Sequence, residues 1–342
     1  MYALNMPNLT IKEIAKIAGV SPSAVSFVIN NREGVSEATR KKVLGIINEM
    51  KFTPNMSSRR LSLKKSFNIC LAINAVSSPF VDLFYFDITR GIVDASAQYD
   101  YNLILCQLDY RKNSRNHVPS SIRNRDADGV IFLQDTPEPI LKEITAMGVP
   151  FIIIDSEPNA KEIYTSVNLD SEWSCQVATE YLIKKGHRDI GFITSSYLPH
   201  YYNQTITGFS KTMNDNKLKI RKSWIFAQAE NEITAYEGMR KVLKNKRLPT
   251  AMVCAGDRYA IGAIRCVQDR GLSVPGDISF IGMDNILLSS YITPPLTTIS
   301  FNTFETGKTA FELLMRKIKG EAVKSMVLPL ESIIERSSVR EL

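Results

Sequence analysis

Residues 9–31 read LTIKEIAKIAGVSPSAVSFVINN and predict two short helices joined by a tight turn. Thr10 and Glu13 have the S/T-x-x-E spacing of a capping box, in which each side chain satisfies an orphan N–H group at the start of a helix. Gly19 stands where a left-handed residue commonly ends a helix. The apolar residues between these signals have the i, i+3, i+4 and i+7 spacing of one helical face: Ile11, Ile14, Ala15 and Ala18.

A second helix is predicted to begin almost at once. Ser21 is a favourable N-cap, and Pro22 suits the first helical position because the N–H that proline lacks would have no partner there. Its buried side consists of Ala24, Val25 and Val28, and its outward side of Ser23, Ser26, Phe27 and Asn30. Two short helices around a glycine turn are typical of a helix-turn-helix, whose second helix enters the DNA major groove. An ordinary helical hairpin in a protein core is the alternative.

The charge distribution favours the DNA hypothesis. Residues 1–66 contain 11 Lys or Arg and 4 Asp or Glu, and the rest of the chain contains 31 of each class. The whole formal charge of +7 therefore belongs to the first fifth of the chain, as in a nucleic-acid module attached to a neutral domain. A solvated basic tail fits poorly, because these charges lie among capped amphipathic helices.

A third helix, capped by Ser36, is predicted to complete a small all-α core. Its buried stripe consists of Val43, Ile46, Ile47 and Met50. The segment that follows, up to Ser66, is polar and basic with a proline near its start, so it is a weak helix that would form only with help from a partner.

From Phe67 onward, short apolar runs alternate with amphipathic stretches of helical length. The predicted strands are 68–73, 102–106, 129–133 and 151–154, then 189–194, 224–227, 251–254 and 278–281. The predicted helices of the second set are 171–185, 235–244 and 260–270. Two consecutive sets indicate two doubly wound α/β lobes, which bind ligands at the carboxyl ends of their strands.

No motif in this α/β part indicates catalysis. The sequence lacks GxSxG, HExxH and GxGxxG after a strand, so hydrolase and dinucleotide-dependent chemistry are disfavoured. Gly307-Lys308-Thr309 resembles the end of a P-loop, but Asn302 replaces its first glycine. His187 precedes a strand and is interpreted as a structural loop residue. We therefore expect neither an enzyme nor a cofactor or metal site.

The composition predicts an ordinary cytoplasmic chain. No run of about 18 apolar residues is present, and the N-terminus lacks the basic and apolar regions of a secretory signal, as a solute-binding protein for uptake would need. The five cysteines, scattered and without a CxxC pair, predict buried free thiols: Cys70, Cys106, Cys175, Cys254 and Cys266.

Several ordered motifs together resemble one family. The N-terminal ones are Thr10-Ile11-Lys12-Glu13-Ile14-Ala15, Ala18-Gly19-Val20-Ser21, Ala24-Val25-Ser26, Val28-Ile29-Asn30, Val35-Ser36, Thr39-Arg40 and Pro54-Asn55. The later ones are Asp126-Ala127-Asp128-Gly129, Lys185-Gly186-His187-Arg188, Ile281-Gly282-Met283-Asp284-Asn285, Pro295-Leu296-Thr297-Thr298-Ile299 and Glu335-Arg336-Ser337-Ser338. In this order they resemble the lactose repressor/galactose repressor (LacI/GalR) family over almost the whole chain.

The resemblance implies a homodimeric repressor that binds a palindromic double-stranded DNA operator. Its parts would be a helix-turn-helix headpiece (residues 1–53), a hinge helix and linker (54–66), and an α/β two-lobed, periplasmic-binding-protein-like effector and dimerisation domain (67–342). By position, Pro22, Ser23 and Phe27 would meet base edges, whereas Ser21, Asn30, Ser36 and Thr39 would contact phosphates. Phe27 replaces an arginine common in the family, so it would contact a thymine methyl group or else pack within the headpiece.

The resemblance also assigns the hinge. Leu61 would be wedged into the minor groove at the centre of the operator, together with its symmetry mate, and such a wedge kinks the duplex. Arg59 and Arg60 would add attraction to phosphates. Ser57 and Ser58 replace the apolar or small residues common at these positions.

For the effector, the resemblance implies a small molecule in the cleft between the lobes. Asp155 and Asp284 match cleft positions at strand ends, where carboxylates suit the hydroxyl groups of a sugar; Asp257 lies nearby or caps the following helix. The aromatic residues that would stack on the effector, or belong to the core instead, are Phe80, Phe84, Tyr85 and Tyr201. Two departures leave the effector unassigned: Thr205 replaces a ligand-gripping arginine, and Glu230 stands near the place of a stacking aromatic residue.

Overall fold

The structure is a computed structural model that describes residues 10–29, 32–50, 52, 60, 63, 65–74, 83–108, 118–134, 136–156, 164–196 and 199–342. The chain divides into two compact units, Met1–Phe67 and Asn68–Leu342. Most of the predicted hinge, residues 54–66, lies outside the described residues, as do the site residues Asn30, Arg59, Leu61 and Phe80.

The N-terminal unit contains the three predicted helices: α1 (Ile11–Ala18), α2 (Pro22–Ile29) and α3 (Glu37–Glu49). Thr10 and Glu13 form the predicted capping box, and Gly19 ends α1 in the left-handed region at φ +64°. The helices enclose one small apolar core, formed by Ile14, Ala15, Ala18, Val25, Val28, Val43 and Phe52. The helix-turn-helix prediction is therefore confirmed at the level of local structure.

The prediction that Met50 belongs to this core is wrong. Met50 is the C-cap of α3 and is exposed, because the helix ends before its side chain can join the stripe. Phe52 takes its place, with 8% of its surface exposed, and its N–H donates to the Ile47 carbonyl oxygen at 2.9 Å. Phe52, which follows the end of α3, therefore completes the core of the N-terminal unit.

In the described part of the chain, the C-terminal unit contains two α/β lobes, and each lobe is built on one six-stranded sheet. Lobe 1 contains β1 (Asn68–Asn74), β2 (Asn102–Leu108), β3 (Gly129–Phe132), β4 (Phe151–Ile154), β5 (Ser166–Leu169) and β11 (Met326–Leu328), with α4 (Leu83–Gln98), α5 (Ser120–Arg123), α6 (Glu138–Ala146) and α11 (Thr303–Ile318). Lobe 2 contains β6 (Ile190–Ile193), β7 (Ile225–Phe226), β8 (Ala251–Cys254), β9 (Ser279–Asp284), β10 (Thr297–Phe301) and β12 (Leu330–Ile334), with α7 (Ser171–Lys184), α8 (Pro199–Asp215), α9 (Glu232–Val242) and α10 (Asp257–Gln268).

Both sheets have the doubly wound order that the alternating pattern predicts. The strand orders are β11-β5-β4-β3-β1-β2 and β12-β10-β9-β8-β6-β7. The pairings are parallel except that of β12 with β10. Because parallel strands end at the same edge, the residues that follow them in each lobe gather at one rim.

The last part of the chain returns to lobe 1, which the sequence analysis did not predict. The chain passes from one lobe to the other at Asp170, at Asn302 and at Pro329, so α11 and β11 return to lobe 1 before β12 joins lobe 2. The return has a packing reason, because Phe311 and Leu314 of α11 are fully buried in the core of lobe 1.

The prediction of five free thiols is wrong for two of them. Cys70 and Cys106 are joined by a disulfide, with their Cα atoms 6.1 Å apart. Strands β1 and β2 pair with Ala72 opposite Cys106, which places both cysteines on the same face of the sheet. Free, buried thiols are confirmed for Cys175, Cys254 and Cys266. Among the described residues, no helix combines the length and the apolar character needed to cross a membrane.

Candidate functional site

The start of α2 forms an exposed polar edge of the N-terminal unit. Ser21, Pro22 and Ser23 are exposed, and the Ala24 N–H donates to Ser21 Oγ at 3.1 Å, which makes Ser21 the N-cap. The hydroxyl proton of an N-cap serine is not needed for this bond, so it remains able to donate to a phosphate oxygen. The N-terminus of a helix also favours anions.

Phe27 lies on the same helix with its side chain half-buried. A Cβ atom at Gly34, which has φ +112°, would lie 3.0 Å from Phe27 Cε2, so the ring packs against this glycine. The Arg32 N–H donates to the Phe27 carbonyl oxygen at 2.8 Å. The ring therefore contributes to packing and still presents part of its surface to solvent, which leaves both interpretations of this residue open.

The start of α3 supplies a second polar edge. Ser36 Oγ accepts the Thr39 N–H at 3.2 Å and lies 2.9 Å from Thr39 Oγ1. Because the two hydroxyl groups share one hydrogen bond, one of their two protons can be donated outward. Arg40 lies in the next position, and its Nη2 donates to the Arg32 carbonyl oxygen at 2.7 Å.

The carboxylate of α1 is engaged within its own helix. Glu13 Oε2 accepts the Thr10 N–H at 2.6 Å, and this hydrogen bond lowers the pKa of Glu13 below its usual range. Further along, Arg60 is half-buried, and its carbonyl oxygen accepts the Lys65 N–H at 3.2 Å.

In the C-terminal unit, the structure brings five of the predicted effector residues close to one another at the carboxyl ends of the strands. Asp155 follows β4 with φ +58°, and Asp284 ends β9 with φ +114°. The left-handed region is uncommon for residues other than glycine, so both carboxylates stand on turns that the surrounding structure must hold in place. Asp155 belongs to lobe 1 and Asp284 to lobe 2.

Tyr201 lies close to both carboxylates. Burial raises the pKa of Tyr201 well above its usual value, and the charges of Asp284 and Asp155 raise it further. Its hydroxyl group donates to the Ala255 carbonyl oxygen, which follows β8. The tyrosine therefore stays protonated beside the two acids.

Two further aromatic residues, Phe84 and Tyr85, lie beside Asp155. Tyr85 Oη lies 3.5 Å from Asp155 Oδ2, at the outer limit of a hydrogen bond. The rings of Phe84 and Tyr85 meet edge to face, with centroids 5.0 Å apart. Phe84 packs against the core of lobe 1 and also against that of lobe 2. These contacts combine an apolar surface with two carboxylates, a lining that suits a ligand with hydroxyl groups and an apolar face.

Asp257 is placed differently from the other two acids. It is fully buried; Oδ2 accepts the Ile286 N–H at 3.0 Å and Oδ1 accepts the Thr298 hydroxyl at 2.5 Å. Burial raises its pKa to about 7, and these hydrogen bonds and the charge of Arg336 oppose the shift. The N-cap of α10 is Gly256, so Asp257 does not cap its helix. Its carboxylate instead connects the turn that follows β9 with strand β10.

Two residues that the sequence analysis did not assign to the site, Asn285 and Arg336, are hydrogen-bonded to each other beside the turn that carries Asp284. Asn285 has φ +51°, and its Oδ1 accepts from Arg336 Nη2 at 2.7 Å. Arg336 Nη1 also donates to Ser289 Oγ at 3.1 Å and to the Leu296 carbonyl oxygen at 2.7 Å. Arg336 belongs to one of the ordered motifs, but nothing in the sequence indicates that its partner would be Asn285.

The structure shows the surroundings of Thr205 and Glu230, the two residues that depart from the family pattern. Thr205 is fully buried; its Oγ1 lies 2.9 Å from Thr194 Oγ1 and donates to the Tyr201 carbonyl oxygen at 2.9 Å. The Thr205 hydroxyl group is thus engaged by Thr194 and by the backbone of Tyr201. Glu230 is exposed at the end of the loop before α9.

The other candidate sites have structural explanations. His187 Nδ1 lies 3.0 Å from Thr250 Oγ1 and Nε2 lies 3.1 Å from the Arg340 carbonyl oxygen, and burial lowers the pKa of the ring. The structural interpretation of His187 is thus confirmed.

Gly307 lies inside α11, where a Cβ atom would lie 1.9 Å from the Ile88 carbonyl oxygen, so this glycine permits close packing of α11 against α4. Within the described ranges, no group of three or more His, Cys, Asp or Glu residues is arranged to hold a metal ion.

Comparisons with known proteins agree with this architecture. The family model described as bacterial regulatory proteins, lacI family, matches residues 10–55, and a periplasmic binding protein-like domain matches residues 179–339. Catabolite control protein A of Priestia megaterium is 32% identical over 330 residues, which cover 96% of this chain and 98% of that protein.

Two solved structures share the fold. The Lac repressor dimer bound to operator and the anti-inducer ONPF matches with a TM-score of 0.81 and 24% identity over 97% of this chain and 99% of that one. The complex of the transcriptional regulator CelR with cellobiose matches with a TM-score of 0.74 and 23% identity, over 96% and 99% of the two chains.

Proposed function

The chain belongs to the LacI family of DNA-binding transcriptional repressors, and we propose that it binds a palindromic operator as a homodimer and is switched by a sugar bound between its two lobes. The observation that carries this proposal is the capped pair α1 and α2, with an exposed polar edge at Ser21–Ser23. This pair lies in residues 1–66, which hold the whole net positive charge of the chain. We expect the protein in the cytoplasm, because that is where it would meet chromosomal DNA.

In the headpiece, base-edge contacts are assigned to Pro22, Ser23 and Phe27. The exposed part of the Phe27 ring suits a thymine methyl group, because an aromatic side chain cannot form the bidentate pair that arginine makes with guanine. Phosphate contacts are assigned to Ser21, Asn30, Ser36 and Thr39, of which Asn30 lies outside the described residues. The N-terminal positions of α2 and α3 support this division, since helix N-termini favour phosphate oxygens.

The hinge assignment extends beyond the described residues. Arg59 and Arg60 are proposed to attract phosphates, and Leu61 to enter the minor groove at the centre of the operator. We expect a basic segment with little apolar surface of its own to fold on DNA, so a sensor domain can control it. Any effector then acts only through its different affinities for the two states of the repressor.

The effector is assigned to the space between Asp155 and Asp284. Ionised carboxylates only accept hydrogen bonds, so they suit a ligand rich in hydroxyl donors. Phe84, Tyr85 and Tyr201 offer aromatic surface to the apolar face of a sugar ring. Phe80 completes the predicted set outside the described residues. Asp257 is assigned a positioning role, because both of its oxygens are engaged by Ile286 and Thr298.

The homodimer is supported by the relative whose structure was solved as a dimer on its operator. A two-fold symmetric protein reads two half-sites of opposite direction, so a palindromic operator and a dimer imply each other.

A sugar panel tests the effector assignment. We expect cellobiose, glucose, ribose or another sugar of the panel to raise the Tm of the full-length protein, since a ligand that binds only the folded state stabilises it. The same sugar should have no effect on the Asp284→Asn variant, in which an amide replaces one of the two carboxylates. Asp215→Asn, which removes an exposed carboxylate at the end of α8, is the matched control and should respond like the parent protein. A panel without any response would contradict the sugar assignment.

A further inference from the structure

Lobe 2 carries a concentrated positive surface that the proposed function does not use. Residues 216–229 and 241–256 contain no Asp or Glu. The cations of these two segments are Lys217, Lys219, Arg221, Lys222, Lys241, Lys244, Lys246 and Arg247, and we call them the basic ridge. Residues 67–342 are neutral as a whole, so this surface reflects charge segregation within the domain.

Side-chain contacts join the two segments into one surface. The Trp224 indole N–H donates to the Arg247 carbonyl oxygen at 3.0 Å, and Asn245 Nδ2 donates to the Ser223 carbonyl oxygen at 3.2 Å. Lys241 Nζ lies 5.2 Å from the centre of the Phe226 ring. The two segments therefore lie beside each other, although residues 230–240 separate them in the sequence.

Within the described part of the chain, neither ion pairs nor the dipole of α9 account for the positive charge of the ridge. Asp189 contacts both arginines of the ridge, Arg221 at 3.9 Å and Arg247 more closely, which leaves the six lysines. Lys241 lies in the last turn of α9, where a cation is favourable. The other five lysines lie outside this helix, and they are exposed.

The residues exposed on the ridge favour one class of partner. Protein interfaces depend on buried aromatic or apolar anchors, and single-stranded nucleic acids need exposed rings for stacking. On the ridge, Trp224 is 1% exposed with its N–H engaged, and Phe226 is half-buried beside Lys241. Lysines without exposed rings match a regular array of phosphates. We propose that the basic ridge is a second, sequence-independent binding surface for the backbone of double-stranded DNA, separate from the headpiece.

The salt dependence of binding to a random-sequence duplex tests this proposal. In the full-length protein, Lys219→Gln/Lys222→Gln/Lys244→Gln should reduce the slope of log K against log[salt] by about 0.9 for each phosphate that is no longer neutralised, or roughly 2.7 if all three lysines engage. The control Lys184→Gln/Lys319→Gln/Lys324→Gln removes the same charge from exposed positions elsewhere. It should keep the parent slope. Equal slopes for both triple variants would overturn the proposal.

Hydrogen exchange of the unmodified protein gives an independent test. With the random-sequence duplex in excess, amides of residues 217–223 and 241–247 should be protected in addition to those of the headpiece. Protection confined to the headpiece would overturn the proposal. Vesicles that contain anionic lipid form the second arm of this experiment, because they also attract lysine clusters. Protection of the ridge by vesicles but not by the duplex would assign it to membrane lipid instead.

Discussion

Arg336 donates through Nη2 to Asn285 Oδ1 at 2.7 Å, which ties the end of the chain to the turn that carries Asp284. The other half of the guanidinium bonds Ser289 and the Leu296 carbonyl oxygen, so one side chain fixes both ends of the connection from β9 to β10. Asp257 also holds the start of this connection, because its Oδ2 accepts the Ile286 N–H. The position of the Asp284 carboxylate thus depends on residues that do not face the cleft.

Replacing Arg336 with alanine should destabilise the C-terminal unit. Hydrogen bonds to charged groups contribute about 1.5–3 kcal/mol, and loss of the arginine also removes the positive charge that opposes the shift of Asp257. We expect the free energy of unfolding in urea to fall by about 2–4 kcal/mol. Arg316→Ala removes an arginine whose partner, Glu321, is half exposed, and should cost less than about 1 kcal/mol. Similar losses in the two variants would contradict the role of Arg336.

Asp257 should make the free energy of unfolding fall as the pH rises, which is the opposite of the effect of most carboxyl groups. Its pKa is raised to about 7 in the folded protein from 3.8, so the folded state binds the proton more tightly than the unfolded state. This contribution is fully present below about pH 4 and is lost as the pH rises to 7. Relative to Asp257→Asn, the parent protein should therefore lose stability across this range, by at most about 1.4 kcal/mol per pH unit. A difference that does not change between pH 4 and pH 7 would mean that the folded-state pKa is not raised.

Two glycines in helix interiors should respond to the same substitution in opposite directions. A Cβ atom at Gly307 would lie 1.9 Å from the Ile88 carbonyl oxygen, so Gly307→Ala must force α4 and α11 apart and should cost about 1–3 kcal/mol. At Gly45 in α3, no atom lies within 4 Å of the added Cβ, so Gly45→Ala should stabilise the headpiece by about 0.5–1 kcal/mol. Thermal unfolding followed by circular dichroism measures both effects. Stabilisation by Gly307→Ala would contradict the observed packing.

Ser21 and Ser23 separate the structural and DNA-binding roles of α2. Ser21→Ala should lower headpiece stability by about 1 kcal/mol, because the Ala24 N–H loses its partner, and should weaken DNA binding as well. Ser23→Ala changes an exposed side chain and should leave stability within about 0.5 kcal/mol of the parent while weakening binding to a selected duplex. Unfolding curves and fluorescence anisotropy with the same duplex compare the two variants. Unchanged affinity in Ser23→Ala would remove this residue from the base-edge set.

The local elements were largely predictable from the sequence because their signals are local. The Thr10-Glu13 capping box and the Ser36 cap are recognisable from short spacings, and the structure contains both. The apolar runs of the strands are equally clear, although the ends of some elements differ from the prediction by a few residues. For example, α9 is capped by Asn231 and so begins earlier than the predicted helix 235–244.

Features that depend on contacts distant in sequence were not predictable. The Cys70–Cys106 disulfide requires the pairing of β1 with β2, which no local pattern specifies. Likewise, the return of α11 to lobe 1 follows from the packing of Phe311. The acids of the cleft were found by resemblance, but the burial of Asp257 and its hydrogen bonds emerge only when β10 is placed beside β9.

The central claim is that this chain reads a specific DNA sequence as a symmetric dimer. Its most direct test is selection of bound duplexes from a random pool by the purified full-length protein at near-physiological salt, with and without the sugar panel. We predict that one arm enriches a palindrome with a deformable central step, in keeping with two headpieces and a hinge wedge. Folded protein that enriches no motif in either arm would contradict the account.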